Sequence, residues 1–509
     1  MSYLFSKEKF NEYLKTSGET GRVALVSYPI VYADGLPSAF PQEIVIFETG
    51  ELGQVVSADQ DFVEILLFSP EPVAIGTSVA KTQKTLEIPV DQQLLGKIIT
   101  PLGSALYKTN PLPDFPESRP VEILPPGIDV REKIAEPMET GVSVVDMMVP
   151  LGMGQRALVI GDRKTGKTNF LLQTVLSQTE RGTICVYAII GKGISAIRHV
   201  EDFVAKNKLT EKVVIVAAKS TDSSGVIFLT PYTAMTVAEY FRDQGKNVLI
   251  ILDDLSTHAK FYREISLLGK NFPGRNSYPG DIFYTHGRLI ERAGNFKTKD
   301  GVFSITCLPV AETVEGDISG YIQTNLMSMT DGHIYFDKDL FAAGRRPAVN
   351  FFLSVTRVGR QTQNSVKSGI SRELNNFLSL HEKTQSFVHF GAELSDAVRT
   401  TLEMGDKILE FFNQAPDETL PVNLQIMLFS LIWVGVWNNL SKDELRETID
   451  KIIKAYKSSE VVKNTFADYL KNAVDFNALL GKVSTDSNKI LEVIEAATMA
   501  NTGDPNAGR

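Results

Sequence analysis

The sequence predicts three domains in succession: a small β-barrel over residues 1–95, an α/β domain with a mostly parallel sheet over 96–372, and an α-helical domain over 373–509. Three observations predict this order. Short β-prone runs fill the first segment, apolar strands alternate with helical stretches between about 130 and 360, and only amphipathic helical patterns follow. At 509 residues the chain is also too long for a single hydrophobic core.

The first segment has the strand spacing of a small barrel. Turn signals such as Asp34-Gly35 and Thr49-Gly50 separate its apolar runs, and residues 7–16 predict a leading helix. The β-prone runs cover residues 22–32, 43–47, 54–56, 62–68 and 86–89.

Three further patterns follow the predicted barrel. Prolines are frequent from residue 111 to residue 126, which predicts an extended connector because proline fits neither a regular helix nor a central strand. In the central segment, strands at 184–190, 213–218, 247–252 and 302–308 alternate with helical stretches, as in a parallel sheet with crossover helices. Amphipathic helices then run from 364 to 499, with breaks near Gly391, at 416–421 and near Gly481, and the polar tail 502–509 is predicted to be disordered.

A phosphate-binding loop stands at the start of the central domain. An apolar strand at 157–160 precedes it and a helical pattern at 169–178 follows it, which is the context that this motif requires. Two glycines let the backbone curl around a polyphosphate, and the helix N-terminus adds partial positive charge. We expect Lys167 to reach the β- and γ-phosphates and the Thr168 hydroxyl to bind Mg²⁺, so the loop predicts binding of a nucleoside triphosphate. The loop consists of Gly161, Asp162, Arg163, Lys164, Thr165, Gly166, Lys167 and Thr168.

Two acidic residues end a strand downstream of the loop. Asp253 closes the apolar run that starts at Asn247, and Asp254 follows directly. A carboxylate in this position is the expected second contact of Mg²⁺. Because side chains alternate along a strand, only one of the two can face the site in the same way. Asp253 is the predicted metal contact, and Asp254 is predicted to cap a helix or to contact a neighbouring residue.

Hydrolysis requires more than nucleotide binding. A carboxylate or amide must orient the attacking water, usually at the end of an adjacent strand. The strand at 184–190 ends in the turn Gly-Lys-Gly at 191–193, which offers no acid. Asp222 and Glu264 lie in stretches typical of solvated helices or loops. The residues therefore predict a chain that binds its nucleotide without turning it over.

Arg357 lies near the end of a strand-like segment and has two possible roles. Composition alone favours a surface salt bridge. Alternatively, the guanidinium projects from a subunit edge and completes the site of a neighbouring subunit. There it would stabilise charge on the transferring phosphoryl group, an effect of roughly 10³–10⁵ in rate.

Composition limits the partners and the compartment. The net charge of −9 argues against nucleic acid or an anionic membrane surface as the main partner. Cys185 and Cys307 lie in apolar strand-like runs, which predicts buried free thiols in a reducing cytosol. Residues 1–5 lack the features of a signal peptide, and the apolar stretch 424–437 is shorter than the roughly 20 residues that span a bilayer. We expect a cytoplasmic chain without nucleic acid and without direct membrane insertion.

The chain is similar to a known family from about residue 20 to about residue 440. A set of short sequence motifs within this range carries the similarity. They are Glu-Pro-Met-Glu-Thr-Gly (136–141), Gly-Gln-Arg (154–156), the phosphate loop (161–168), Leu-Asp-Asp-Leu-Ser (252–256), Pro-Gly-Arg (273–275), Tyr-Pro-Gly-Asp-Ile-Phe-Tyr (278–284), Arg-Leu-Ile-Glu-Arg (288–292), Leu-Pro-Val (308–310), Gly-Asp (316–317), Thr-Asp-Gly (330–332), Arg-Pro (346–347) and Ser-Val-Thr-Arg-Val-Gly (354–359). As a set they resemble the α subunit of the F-type rotary ATP synthase head. Asp-Arg after the first loop glycine is similar to α, whereas the catalytic β subunit is glycine-rich there.

The resemblance implies a β-barrel crown, a RecA-like nucleotide domain and a C-terminal helical domain. It implies partners as well: β-type subunits in an α₃β₃ ring, a central γ-type shaft and a peripheral stalk subunit. The complex would lie at the inner face of the cell membrane. In this family the α site binds ATP or ADP with Mg²⁺ but does not turn it over, because the catalytic glutamate belongs to β.

The resemblance also assigns individual residues. Arg357 matches the arginine finger that reaches into the neighbouring β site, which favours the second of its two roles. Phe341, Arg346 and Pro347 would line the base of the α site, and Gln414 would contact adenine.

The chain departs from the family pattern at a few positions, which keeps alternatives open. Lys164 stands where glutamine is usual, and Lys192-Gly193 replaces Gln-Lys. One alternative is an α-type subunit of a divergent F-type-like motor that is not coupled to proton translocation, for example one linked to gliding. Another is a self-sufficient homohexameric ATPase, such as a helicase or export ATPase, which would need a carboxylate near Lys192. A scaffold without nucleotide conflicts with the intact Lys167 and Asp253.

Overall fold

The chain forms two compact units, each assembled from several stretches of sequence. The first comprises Met1–Ile134, Met153–Arg163 and Gln178–His333, and the second comprises Ala135–Gly152, Lys164–Ser177 and Ile334–Arg509. The computed structural model describes residues 7–107, 109, 111–270, 272–389 and 395–502. The predicted helix break near Gly391 and the predicted disordered tail from residue 503 onward lie outside the described residues.

A closed barrel begins the first unit. Its strands are β1 (Thr20–Ser27), β2 (Ile30–Asp34), β3 (Glu43–Phe47), β4 (Leu52–Ala58), β5 (Val63–Leu67) and β6 (Ser78–Thr85), and helix α1 (Lys7–Ser17) precedes them. They pair in the order β1-β2-β5-β4-β3-β6, and Val31, Val45, Phe47 and Ile65 are fully buried in the core. Closure leaves no free strand edge, which stabilises such a small sheet. The predicted barrel is confirmed.

The connector after the barrel carries three short strands: β7 (Glu87–Val90), β8 (Ile98–Ile99) and β9 (Glu117–Pro120). Strands β7 and β9 pair antiparallel as a two-stranded sheet. Pro120 ends β9, a position that proline tolerates because it need not donate to a ladder. Residues 137–152, in the second unit, then form β10 (Pro137–Met138), α2 (Ser143–Met148) and β11 (Leu151–Gly152).

A mostly parallel sheet forms the rest of the first unit. The elements of this unit in chain order are β12 (Ala157–Asp162), β13 (Ile184–Lys192), α4 (Ile194–Lys206), β14 (Val213–Lys219), α5 (Ser224–Asp243), β15 (Val248–Asp253), α6 (Leu255–Leu268), α7 (Ile282–Ile290), β16 (Gly294–Thr298), β17 (Gly301–Thr313) and α8 (Tyr321–Met329). Helix α3 (Lys167–Glu180) follows β12 in the chain, and most of it belongs to the second unit. Within this unit the parallel strands lie in the order β12-β17-β15-β13-β14-β8, and β16 pairs antiparallel with β17. The strands are buried along almost their whole length, as expected of a sheet with crossover helices. Cys185 and Cys307 are buried and free, as predicted.

The second unit ends in the predicted helical domain. Its elements from residue 332 onward are β18 (Gly332–Phe336), α9 (Lys338–Ala342), β19 (Val355–Thr356), α10 (Ser365–His389), α11 (Asp396–Phe411), α12 (Val422–Trp433), α13 (Lys442–Ser458), α14 (Glu460–Lys471), α15 (Phe476–Thr485) and α16 (Ser487–Thr502). The predicted break at 416–421 separates α11 from α12. The predicted break at Gly481 is wrong, because α15 continues through it. One glycine costs only about 1 kcal/mol in a helix, and the buried Leu479 and Val483 hold this one in place.

The most apolar helix, α12, is buried over most of its length. Among the residues that the structure describes, no helix combines the length and the hydropathy needed to cross a membrane.

Candidate functional site

The ends of four parallel strands lie at one edge of the sheet in the first unit. Asp253 at the end of β15 lies beside Ile189 of β13, and Asp162 at the end of β12 lies beside Thr313 of β17. Carboxyl ends of parallel strands form the usual ligand-binding edge of such a sheet. The structure therefore places the first residues of the loop and the predicted acidic contact at the same edge.

The side chains of Asp162 and Arg163, near the start of the loop, form hydrogen bonds with residues at and after the end of β17. The Asp162 carboxylate accepts hydrogen bonds from the backbone N–H of Gly316 at 2.9 Å and from the Thr313 hydroxyl. Arg163 donates to Glu312 at 2.8 Å. These contacts anchor the loop to the end of β17. A role for Asp162 and Arg163 in nucleotide binding, through their backbone groups, stays a prediction.

Glu312 was missed by the sequence-based reasoning. It lies near the end of β17, at the edge where the loop begins, and the Arg163 guanidinium engages its carboxylate. An acid at the end of the apolar run 305–311 was the available signal. The Arg163 guanidinium holds one of its two carboxylate oxygens.

The second half of the loop belongs to the second unit. Lys164 is exposed and adopts a left-handed backbone with φ of 63°, and Gly166 adopts φ of 94°. Lys167 is the first residue of the 14-residue helix α3, and its side chain is buried. Thr168 follows and is half-buried. A tight turn into a helix N-terminus is the backbone geometry that the motif predicts, and the binding of phosphate by its N–H groups stays a prediction.

Lys192 and Asp253 form an ion pair at the edge of the sheet. The Lys192 ammonium contacts one carboxylate oxygen of Asp253, and Tyr187 donates to the other oxygen at 3.0 Å. The ammonium also lies 3.8 Å from a carboxylate oxygen of Asp254. Burial alone would lower the pKa of Lys192, but its attraction to Asp253 and Asp254 outweighs burial and raises the pKa. Lys192 is therefore a cation at this site.

Asp254 caps a helix, one of the two roles predicted for it. Its carboxylate accepts from the backbone N–H of Thr257 at 2.6 Å and from the Thr257 hydroxyl at 3.1 Å, at the start of α6. Burial raises the pKa of the Asp254 carboxyl to about 6, although the neighbouring Lys192 opposes the shift.

The fit of Mg²⁺ to this edge can be tested on the two oxygens of Asp253. One oxygen holds Lys192 and the other accepts from Tyr187. Each oxygen keeps a second lone pair, so a direct bond to Mg²⁺ would compete with the Lys192 ammonium for the charge of the same carboxylate. The predicted contact of Asp253 with Mg²⁺ stays a prediction, as does that of Thr168.

Three of the residues assigned by resemblance lie together in the second unit. The Arg346 guanidinium lies 3.5 Å from the centroid of the Phe341 ring. It also donates to the carbonyl oxygens of Phe341 and Arg345, each at 2.7 Å. A side chain at Gly166 would begin 3.8 Å from the Phe341 ring, so this ring lies beside the loop. Pro347 follows Arg346 and is buried.

Hydrogen bonds to neighbouring backbone groups hold Gln414 in place. Its backbone N–H donates to the Arg346 carbonyl oxygen at 2.7 Å, which places it next to the Phe341 cluster. Its side-chain amide donates to the Gly141 carbonyl oxygen at 3.1 Å and accepts from the Ser143 N–H at 2.6 Å. The amide is buried and bonded within the protein, so the predicted contact with adenine stays a prediction.

Arg357 is exposed directly after β19. Within the described part of the chain, no residue forms a hydrogen bond or ion pair with its side chain. Its neighbours Leu353 and Val355 are exposed apolar residues. The surface salt bridge that composition favours is therefore not formed within the described part of this chain.

Comparison with known proteins agrees with this geometry. The model of the ATP synthase alpha/beta family, nucleotide-binding domain, matches residues 141–356, and that of the ATP synthase alpha/beta chain, C terminal domain, matches residues 363–485. ATP synthase subunit alpha of Neorickettsia sennetsu (strain ATCC VR-367 / Miyayama) is 38% identical over 463 residues, which cover 89% of this chain and 91% of the relative. ATP synthase subunit alpha of Aquifex aeolicus (strain VF5) is 38% identical over 443 residues, which cover 87% and 88%. The chain therefore belongs to the ATP synthase alpha/beta family, as an α-type member of the F-type ATP synthase.

Proposed function

We propose that this chain binds ATP or ADP without hydrolysing it and supplies Arg357 to the catalytic site of an adjacent β-type subunit. The observation that carries this proposal is the exposed Arg357, whose guanidinium has no partner among the described residues. A guanidinium held at a subunit edge stabilises the charge that develops on a transferring phosphoryl group.

The edge of the sheet supports the non-catalytic half of the proposal. From the sequence we expect the water-orienting carboxylate of a hydrolase at the end of β13, next to β15, and Lys192 stands there instead. Two acids, Asp253 and Asp254, form ion pairs with Lys192 in the described structure, and each also accepts a hydrogen bond from Tyr187 or Thr257. A self-sufficient homohexameric ATPase would need a free acid at this point.

The assembly is proposed on the same basis. The chain would alternate with β-type subunits in an α₃β₃ ring around a γ-type shaft, with a peripheral stalk subunit as a further contact. It would lie in the cytoplasm at the inner face of the membrane. The Thr168 hydroxyl is the proposed protein ligand of Mg²⁺ in the bound nucleotide, and Phe341, Arg346 and Pro347 are proposed to line its base.

The test is steady-state ATP turnover by the complex of this chain with β-type and γ-type subunits. We expect Arg357→Ala to lower turnover by about 10³-fold or more while assembly and nucleotide binding by this chain stay unchanged. Arg360→Ala is the matched control, because Arg360 is also exposed and lies three residues away. Near-normal turnover with Arg357→Ala would overturn the proposed role.

A second measurement tests the chain alone. A sample that binds ATP should show no turnover above background. Turnover that Lys167→Ala abolishes would overturn the non-catalytic assignment.

A further inference from the structure

We infer that Gln414 holds the backbone in place rather than contacting the nucleotide base, and that this chain therefore binds ATP and GTP with similar affinity. The inference rests on the proposed binding of a nucleotide with its base beside Phe341, Arg346 and Pro347, and it adds the base selectivity of that site. All residues on which it depends belong to the second unit.

The first step is what selectivity for adenine requires. Adenine and guanine differ in the hydrogen-bonding groups on the edge of the ring, and the amides of glutamine and asparagine are the usual partners of the adenine edge. A surface that stacks on the face of the ring does not separate the two, because every base has a π face. Selectivity for adenine therefore needs a donor or acceptor that reaches the base edge.

The second step is the bonding of the Gln414 amide. Its nitrogen donates to the Gly141 carbonyl oxygen at 3.1 Å, and its oxygen accepts from the Ser143 N–H at 2.6 Å. Gln414 is 4% exposed and Ser143 is fully buried. Turning the amide toward a base would leave the buried Ser143 N–H without this partner, which is costly away from water. Gln414 thus acts as a positioning residue for the backbone at 141–143.

The third step is the neighbouring amide. The Asn413 side-chain oxygen accepts from the Arg346 backbone N–H at 3.1 Å, and its nitrogen donates to the Glu410 carboxylate at 3.0 Å. The protein therefore sets the orientation of this amide as well. Neither amide is oriented by the edge of a bound base.

The fourth step is the segment that carries both amides, which is held from two sides. The buried Gln173 amide of α3 donates to the carbonyl oxygens of Ala415 and Glu418, at 2.9 Å and 2.8 Å. Arg446 of α13 donates to the Asn413 carbonyl oxygen and lies 3.3 Å from the Glu418 carboxylate. These bonds oppose a movement that would bring the amides of the segment to a base.

The fifth step is the surface that the proposed site offers to the base. The Arg346 guanidinium lies 3.5 Å from the centroid of the Phe341 ring and donates to the carbonyl oxygens of Phe341 and Arg345. Because these donors are directed at the backbone, the ring and the guanidinium offer a base mainly their π surfaces. Stacking on such surfaces accepts adenine and guanine alike.

The test is isothermal titration calorimetry of the purified chain with ATP and with GTP, both in excess Mg²⁺. We expect the two dissociation constants of the wild type to differ by less than about fivefold, because the protein itself holds the amides of Asn413 and Gln414. In Phe341→Ala we expect both affinities to fall together by about tenfold, since both bases would stack on the same surface.

Gln414→Ala separates a positioning role from contact with the base. Loss of a positioning residue should lower the thermal melting temperature and change the affinities for ATP and GTP by the same factor. Loss of a contact with adenine would weaken ATP binding alone. Asn413→Ala should likewise leave the ratio of the two dissociation constants unchanged. Gln385→Ala is the matched control, since Gln385 is exposed on α10, and it should alter neither melting nor binding.

Two outcomes would overturn the inference. One is a wild type that prefers either nucleotide by more than about fivefold. The other is a Gln414→Ala chain, folded by its melting curve, in which the ratio of the two dissociation constants changes by more than about fivefold. The wild-type ratio decides the question even if this variant does not fold. Absence of binding by both nucleotides would instead overturn the proposed nucleotide site itself.

Discussion

The Thr356 hydroxyl donates a 2.8 Å hydrogen bond to the carbonyl oxygen of Pro150, and this bond holds the residue directly before Arg357. Gly359, two residues after Arg357, packs against the same carbonyl so closely that no Cβ fits there. The exposed arginine is thus carried by a backbone segment that is anchored on both sides. A rigid support of this kind is what a group acting on a neighbouring subunit requires.

The first prediction concerns this support. Gly359→Ala should lower the free energy of unfolding by about 1–3 kcal/mol, because the backbone must shift away from the Pro150 carbonyl. It should also lower turnover of the assembled complex although Arg357 is untouched. Urea unfolding and steady-state turnover measure the two effects.

Gly481→Ala is the control for that substitution. A Cβ at Gly481 meets open space within α15, so the free energy of unfolding should rise by up to about 1 kcal/mol. A Gly359→Ala chain with wild-type stability and turnover would show that the anchor does not matter.

A second prediction addresses the residues proposed to line the base of the bound nucleotide. Phe341→Ala should weaken binding of a fluorescent ATP analogue by about tenfold, because the ring lies beside Gly166 and supports the Arg346 guanidinium. Phe387→Ala removes an exposed ring from α10 and should leave binding unchanged. Equal affinities of the two variants for the ATP analogue would contradict the assignment of Phe341 to the nucleotide site.

The buried pair of Arg292 and Glu239 gives a third prediction. The Arg292 guanidinium lies 2.6 Å from Glu239, and its side chain is 1% exposed. Arg292→Ala should lower the free energy of unfolding by about 3–5 kcal/mol, because it leaves a buried carboxylate unpaired. Arg399→Ala breaks an exposed pair with Glu403 and should cost less than about 0.5 kcal/mol. Denaturant melts that give similar losses for both would contradict this account.

A fourth prediction is a dependence of stability on pH that comes from two buried histidines. His258 and His286 contact each other at 3.0 Å, among the rings of Phe228 and Tyr232, and His258 also contacts the Phe228 carbonyl oxygen. Burial lowers the pKa of His258 to about 4 and lowers the pKa of His286 well below its usual value. Both rings are therefore neutral in the folded chain at pH 7.

The sign of the effect follows from these depressed pKa values. Stability from the histidines is complete above the unfolded pKa of about 6.5 and is lost as pH falls from there toward 4. Each histidine should contribute a slope of up to about 1.4 kcal/mol per pH unit in that window. Replacing both with glutamine should flatten the unfolding free energy between pH 6.5 and 4 relative to the wild type. An unchanged slope in the variant would assign the acid sensitivity to other groups.

The domain order and the loop could be predicted from the sequence because both are encoded locally. Strand and helix periodicities extend over a few residues, and the loop motif needs only its own eight positions and the flanking strand and helix. The same is true of Asp253 at a strand end and of the missing acid at 191–193. The break predicted at Gly481 failed because packing of Leu479 and Val483 decides whether a helix tolerates glycine.

The sequence by itself determined the order of the three domains, the phosphate loop and the absence of an acid after β13. Only the tertiary structure decided that Lys192 pairs with Asp253, 61 residues away, and Arg163 with Glu312, 149 residues away. It also decided that Arg357 is exposed directly after β19, in a segment anchored on both sides. The physical reason is that these pairs form only where folding brings two segments distant in sequence into contact, and at Lys192 and Asp253 it also removes most of both side chains from water.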